Sequence, residues 1–242
     1  MNLVIDIGNT RIKSALFVGN MLHTFKIVDS FEQLLADTEF INKANHAIIG
    51  SVVEGLDFFY ERLNQIIPTI IFKSSTKIPI TNLYQFAATL GSDRLSAAIA
   101  AYYLYPNSNV LTIDAGTCIK YNCTNHKNEY LGGAISPGIG MRFKALQQFT
   151  SKLPLVEPDW SFIELIGTNT QNSILSGVLN GSVAEVDGII EDYKRQYPDI
   201  LVLLTGGDSE FLAKRLKNSI FAHQNLVLKG LNDILNYNLE QT

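Results

Sequence analysis

The chain carries only two cysteines in 242 residues, and charged side chains make up just 17% of it. Cys118 and Cys123 stand five apart in a segment that reads as a strand, so they point to opposite faces. No disulfide is expected between them, and a cytoplasmic setting is the simpler expectation. The four histidines, His23, His46, His126 and His223, lack the paired spacing that structural zinc requires. No apolar run approaches the roughly 20 residues that span a bilayer, not even IIPTIIF or AIIGSVV. The first residues lack a basic region followed by an apolar core and a small-residue cleavage site, so no signal peptide is expected. No Lys/Arg cluster stands out, the formal net charge is −4 and the pI is about 5.6. Nucleic acid is therefore not expected as a partner, and neither is a membrane. Low-complexity segments are also missing.

What is present is an ordinary globular balance, 46% hydrophobic, long enough to bury a sizeable core in one large or two small domains. Strands are expected at 2–7, 11–18 and 21–28, with Gly19-Asn20 as a hairpin turn. A helix over 31–41 follows the capping Ser30, then a strand at 47–53, a helix near 55–66 and a strand at 69–72. An Ala-rich helix over 91–105 ends at Pro106. The opening pattern then returns, with strands at 109–114, 118–124 and 129–136 and a helix from Pro137-Gly138 to about 149. After an extended loop come a long helix over 170–195, a strand at 201–205, a helix over 209–217 and a short closing helix or loop. The whole reads as an α/β unit written twice, with lobes at 1–107 and 108–242.

The duplication is visible in words. Residues 3–16 read LVIDIGNTRIKSAL, and 110–121 read VLTIDAGTCIKY. Each is an apolar run, then Asp-x-Gly, a Thr, and an Ile-Lys pair. Glycine permits close backbone approach, and the following amides with the Thr hydroxyl can converge on phosphate oxygens. Asp6 and Asp114 cannot sit against phosphate; a bound cation, direct or through water, gives them a task. Either turn alone is equally a plain hairpin turn. The shared Asp-x-Gly-(Asn)-Thr-x-Ile-Lys tips the balance toward two halves of a phosphate clamp. Lys13 and Arg11 share a strand face and either meet phosphate or remain solvated. Thr205-Gly206-Gly207-Asp208 follows an apolar strand, as a ligand-approaching turn or an ordinary one. Asp93 opens the Ala-rich helix, where it is either a cap or the acceptor of a substrate hydroxyl proton. Arg94 beside it has the planar fork suited to a substrate carboxylate.

Together these segments resemble the type III pantothenate kinases of the acetate kinase/Hsp70/actin superfamily. The resemblance spans nearly the whole chain. It rests on Asp6-Ile7-Gly8-Asn9-Thr10 with Lys13, Leu90-Gly91-Ser92-Asp93-Arg94, Asp114-Ala115-Gly116-Thr117, Gly132 to Gly138, Gly167-Thr168-Asn169-Thr170 and Thr205-Gly206-Gly207. It implies duplicated actin-like (ribonuclease H-like) lobes, each a mixed sheet with flanking helices. It also implies ATP-dependent phosphorylation of pantothenate to 4'-phosphopantothenate, the first step of coenzyme A synthesis. By the same resemblance Asp93 is the catalytic base. Asp6, Gly8, Asn9, Thr10, Lys13 and Thr117 contact ATP, with Asp6 near Mg2+ through water. Asp114 holds a monovalent cation, K+ or NH4+. Tyr84, Gly91, Ser92, Asp93, Arg94 and Thr170 line the pantothenate pocket, Thr170 across a homodimer interface. The chain departs from the family at Ala88-Thr89, where a Pro is frequent, and at Cys118, where Thr or Ala is frequent. Two rivals remain: another small-molecule kinase of the superfamily, and a non-catalytic transcriptional accessory protein of the same fold. The Leu-Gly-Ser-Asp-Arg segment counts against the first, and the acidic pI with an intact Asp93 against the second.

Overall fold

The computed structural model describes residues 1–8, 10–53 and 55–241; Asn9, expected at the nucleotide, lies outside them. In chain order the elements are β1 (Asn2–Ile7), β2 (Ile12–Val18), β3 (Met21–Val28), α1 (Phe31–Ala36), α2 (Thr38–Ile41), β4 (His46–Ser51), α3 (Asp57–Ile66) and β5 (Thr69–Ile71). Then come β6 (Thr81–Asn82), a 3-10 turn at Ala87–Thr89, α4 (Ser92–Leu104), β7 (Val110–Ala115), β8 (Cys118–Thr124) and β9 (Glu129–Pro137). The remainder is α5 (Ile139–Gln148), α6 (Thr170–Gln196), β10 (Leu201–Thr205), α7 (Ser209–Arg215), β11 (Phe221–Ala222) and α8 (Leu226–Leu239).

Among the described residues one sheet has the order β3-β2-β1-β4-β5, and the other β11-β10-β7-β8-β9-β6. Apart from the short β6, the second order read backwards, β9-β8-β7-β10-β11, repeats the first. In both, three consecutive strands lead into a fourth that lies parallel to the first of them: β4 beside β1, and β10 beside β7. The sheets are therefore mixed, and the duplication seen in the sequence is a duplication of topology. By contacts the chain falls into two compact units. One comprises Met1–Ser108, Asn122–Gly132 and Asn225–Thr242; the other comprises Asn109–Tyr121 and Gly133–Gln224.

In the first unit the core lies on both faces of the sheet. Leu3, Ile5, Ile7 and Ile49 meet Leu34, Phe59 and Leu63 from α1 and α3. Val4, Ala15 and Ile48 point the other way, toward Ala98 and Ile99 of α4 and Leu231, Ile234 and Leu235 of α8. This period-two split is what a strand buried on both faces produces. In α4 the alanines 97, 98, 100 and 101 are all fully buried, and small side chains let α8 pack closely against it. In the second unit Leu111, Ile113, Leu203 and Leu204 of the strands and Leu179 and Val186 of α6 are buried.

Two expectations need correction. The helix expected over 31–41 is two short helices, because Asp37 ends the first and accepts the Phe40 amide at 3.2 Å to start the second. The expected short closing helix or loop is a 14-residue helix, α8, with most of its length buried. Its polar residues hid it, yet they have partners. Asn232 donates to the Gly19 carbonyl at 2.9 Å and accepts from Asn2 at 2.9 Å, and Asp233 pairs with Lys229 at 2.8 Å. Both cysteines are free thiols; Cys123 is buried, and burial pushes its thiol up to about 11. Among the described residues no helix is long and apolar enough to cross a membrane.

Leu231 is fully buried in the α8 face of the core. Leu231→Ala is expected to cost about 2–5 kcal/mol in denaturant unfolding. A loss under about 1 kcal/mol would mean that α8 is peripheral to that core.

Candidate functional site

In the first unit the parallel register of β1 and β4 places Asp6 beside Gly50 and Ile7 beside Ser51. The antiparallel register of β1 and β2 sets Lys13 directly opposite Asp6. The Gly8 amide donates to the Arg11 carbonyl at 3.1 Å, closing the turn between them, and Thr10 is exposed on it. Asp6 is buried and Lys13 is half-buried. The start of α4 is tied to the same sheet end, since Ser92 Oγ donates to the Ser51 carbonyl at 2.9 Å. The fold thus gathers Asp6, Gly8, Lys13 and Gly91–Arg94 at the carboxyl ends of β1 and β4. Open α/β sheets bind ligands at such strand ends.

Asp93 is half-buried in the first turn of α4, and its Oδ1 accepts the Arg94 amide at 2.8 Å. Arg94 is only 5% exposed. Its Nε donates to Asn122 Oδ1 at 2.8 Å, and that oxygen also accepts from the Tyr130 hydroxyl at 3.1 Å. The guanidinium lies 5.5 Å from the centre of the Tyr84 ring, a cation–π distance. Five buried side-chain polar atoms have no hydrogen-bond partner among the described residues: the hydroxyls of Ser96, Thr112 and Thr124, and two nitrogen donors, Arg94 Nη2 and Asn122 Nδ2. Buried donors left unmade are costly, and these two belong to side chains already joined by the Nε–Oδ1 bond, so they suit an acceptor from outside. Asn122 and Tyr130 escaped the sequence reading because neither belongs to a motif. The one available signal was an Asn between the aromatic Tyr121 and Cys123 of β8.

In the second unit Asp114 is the penultimate residue of β7, and Thr205 of β10 is its parallel partner. Lys120 Nζ lies 2.7 Å from Asp114 Oδ2. The chain leaves β10 through Gly206 at φ +98°, where a Cβ would stand 2.2 Å from the Ala115 carbonyl oxygen, so only glycine fits. The Asp208 amide then donates to that carbonyl at 3.0 Å. The Asp208 carboxyl is pushed up to about 6, first by burial and then by the negative charge of Asp114. Beside it a cavity of about 340 Å³ is walled by Trp160 and Phe211, two rings that no sequence motif singled out.

The exposed Thr117 sits in the turn after Asp114, and Gly138 is its seat. The Gly138 amide donates to the Thr117 carbonyl at 3.1 Å, and a Cβ there would meet the Gly116 carbonyl oxygen at 2.1 Å. Behind this turn Glu185 of α6 accepts from Arg142 at 2.6 Å and Tyr121 at 3.3 Å. Burial pushes the Glu185 carboxyl up, but its bonds to Ser136, Arg142 and Tyr121 outweigh burial and leave it below the ordinary value. Thr170 is elsewhere in this unit, at the start of α6. It lines a groove of about 920 Å³ with Arg142, Leu146, Phe149 and Ile174, and none of the other residues expected to bind substrate lines that groove.

Among the described residues no cluster of three or more His, Cys, Asp or Glu side chains could hold a metal. The buried Asp6 carboxylate at a strand end offers the oxygen donor that a magnesium ion with its waters takes. A free monovalent cation fits Asp114 less well, because an ammonium already occupies its Oδ2.

Comparison with known proteins converges on one family. A family model described as type III pantothenate kinase matches residues 2–192. The type III pantothenate kinase of Christiangramia forsetii is 44% identical over 248 residues, covering 100% of each chain. That of Bacteroides fragilis is 43% identical over 242 residues, covering 98% of each. Among solved structures, one described as a Baf family transcriptional activator from Campylobacter jejuni aligns with TM-score 0.66 at 22% identity, over 98% of this chain and 99% of that one. A ROK hexokinase from Thermus thermophilus aligns with TM-score 0.50 at 12% identity, over 99% of each. At these identities the structures show the fold: duplicated actin-like lobes, each a mixed sheet with flanking helices.

The raised Asp208 carboxyl makes a pH-dependent stability testable. The folded chain holds this proton more tightly than the unfolded chain, whose carboxyl titrates near ~3.9. Stability is therefore lost as pH rises from about 4 to above 6, where the folded state must carry the charge. For the ligand-free protein, Asp208→Asn is expected to melt roughly 2–4 °C above wild type at about pH 7.5, or about 1 kcal/mol after allowance for partial exposure. The gap should vanish below about pH 4, and an equal gap at both pH values would remove Asp208 as its source.

Proposed function

The chain belongs to the type III pantothenate kinases, and we propose that its reaction is run from the α4 end of the first sheet, with Asp93 as the base. The protein is an enzyme, a kinase that converts pantothenate to 4'-phosphopantothenate at the entry to coenzyme A biosynthesis, with ATP and Mg2+ as the phosphoryl source. The observation that carries the site assignment is the buried Arg94, next to Asp93 in sequence, whose Nη2 is unpartnered and whose Nε is bonded to Asn122, itself with an unpartnered Nδ2. A planar guanidinium is suited to the carboxylate of pantothenate, and Tyr84 stacks near it. With that carboxylate anchored, Gly91, Ser92 and Asp93 lie along the rest of the molecule.

The chemistry needs little more than placement and charge. The pantothenate hydroxyl oxygen attacks the γ-phosphorus, and the bond from that phosphorus to the oxygen bridging the β-phosphate breaks. ADP leaves, and the hydroxyl proton passes to the Asp93 carboxylate. The turn residues Gly8, Thr10, Lys13 and Thr117 supply donors for the triphosphate, as Asn9 does in the sequence motif. Asp6 is the residue for Mg2+ and its waters; the ion neutralises developing phosphate charge when bound. Asp114 belongs to the same nucleotide machinery as the holder of a unit positive charge, for which the family resemblance implies K+ or NH4+. Tyr84 and Thr170 complete the substrate set.

A homodimer is part of this reading, with Thr170 contributed across it. What supports it is the groove beside Thr170, where Phe149 is 81% exposed, a large apolar surface for a lone chain to leave in water. Sedimentation of the purified protein is expected to give twice the chain mass of 26.8 kDa, and Phe149→Glu should shift it toward the monomer. A wild type that sediments as one chain at micromolar concentration ends that part of the reading.

The reaction itself is tested by incubating the protein with ATP, magnesium, pantothenate and potassium chloride and assaying for 4'-phosphopantothenate. A hexose phosphorylated in place of pantothenate would overturn the substrate. Asp93→Asn is expected to lower turnover by about 10²–10⁴-fold while ATP binding, followed by calorimetry, stays within roughly threefold. Near-wild-type turnover in that variant removes Asp93 as the base.

A further inference from the structure

We propose that Lys120 is the monovalent cation of this enzyme: its tethered ammonium, bound to Asp114, takes the place of a free potassium ion. The proposal rests on reading Asp114 as the holder of positive charge beside the nucleotide. Its ground is the ion pair itself. Lys120 Nζ is 2.7 Å from Asp114 Oδ2, and the two side chains are 19% and 14% exposed. They are half withdrawn from water, where screening is weaker than at the open surface. An alkylammonium and a potassium ion carry the same charge and approach a carboxylate oxygen at similar distance. The site therefore already contains what the free ion would bring.

The surroundings favour one resident cation and disfavour two. The acidic groups here are Asp114 at the end of β7 and Asp208 after Gly206, close enough for the charge of one to act on the other. The parallel pairing of Asp114 with Thr205 and the Asp208 amide bond to the Ala115 carbonyl fix both carboxyls to the ends of β7 and β10. A potassium ion added at Asp114 Oδ2 would lie next to the ammonium and be repelled by it, while having to surrender part of its hydration. The sequence writes the same arrangement twice. The Ile-Lys pair that follows the first Asp-x-Gly turn puts Lys13 opposite Asp6 in the β1–β2 ladder. The pair after the second turn puts Lys120 on Asp114. The duplicated motif thus provides each lobe with a carboxylate and an ammonium flanking a phosphate-binding turn, with no second ion needed at the later copy.

The test compares salts at equal ionic strength, using purified full-length protein with ATP, Mg2+ and pantothenate. In tetramethylammonium chloride, whose cation is too bulky for a carboxylate site of this size, wild-type turnover is expected to stay within roughly twofold of that in potassium chloride. Lys120→Met keeps most of the stem and removes the charge. It is expected to lose roughly tenfold or more in tetramethylammonium and to regain most of it in potassium. Lys120→Arg should remain indifferent to potassium. A second readout needs no turnover: potassium should raise the melting temperature of Lys120→Met above its value in tetramethylammonium, and leave wild type unmoved. Wild-type turnover or melting that depends on potassium overturns the proposal. So does Lys120→Met that is potassium-indifferent, whether active or inactive. Wild type that phosphorylates nothing in either salt counts against the proposed reaction instead, and the melting comparison then decides the role of Lys120 alone.

Discussion

The parallel pairing of two buried strands is the constraint on which everything else in each sheet depends. β1 and β4 run side by side from Asn2 and His46 to Ile7 and Ser51, and most of their residues are inaccessible to water. Burial on both faces opposes a register slip, because a shift of one residue would exchange every side chain between two differently packed cores. With the register fixed, both strands stop at the same level, and the turn after Asp6 and the start of α4 are delivered together. The second sheet repeats the device with β7 and β10, whose pairing ends at Asp114 and Thr205. The carboxyl groups stand at these ends because the strands leave them no other position.

Within this repeated plan the two turns differ in how their backbones are held. The first closes on itself through the Gly8 amide and the Arg11 carbonyl. The second closes through Gly116 and Cys118 and is also seated on Gly138, which in turn belongs to a strand-to-helix corner anchored by Arg142, Glu185 and Tyr121. That corner is held by a half-buried carboxylate that accepts from both Arg142 and Tyr121, so the ion pair loses part of its hydration but keeps its hydrogen bonds.

Much of this architecture was legible in the sequence. Alternation in residues 11–28, the Ala-rich run before Pro106 and the apolar run LVLLT all became the elements their patterns indicate. The failures have physical causes. Helix 31–41 broke at Asp37 because a short side chain that caps the next turn competes with helix continuation. Helix α8, expected as a short closing helix or loop, runs for 14 residues; Asn232 and Asp233 lie on its buried side, where periodicity arguments expect apolar residues. At the site, the turn residues announced themselves through repetition. Asn122, Tyr130, Trp160 and Glu185 did not, since each acts through a tertiary neighbour that a linear reading cannot supply.

The placement of α8 has a consequence for how the protein is made. Its residues belong to the unit formed by Met1–Ser108, yet they are synthesised after the whole of Asn109–Gln224. Until they emerge, the faces of β1, β4 and α4 that bury Val4, Ile48 and Ile99 lack their cover, so the N-terminal unit waits on the ribosome with an open apolar face. The unit built mainly from Gly133–Gln224 is fully translated while that wait continues. The order of completion is therefore the reverse of the order of translation. A chain terminated before α8 would leave the core of the unit that holds Asp93 without its cover.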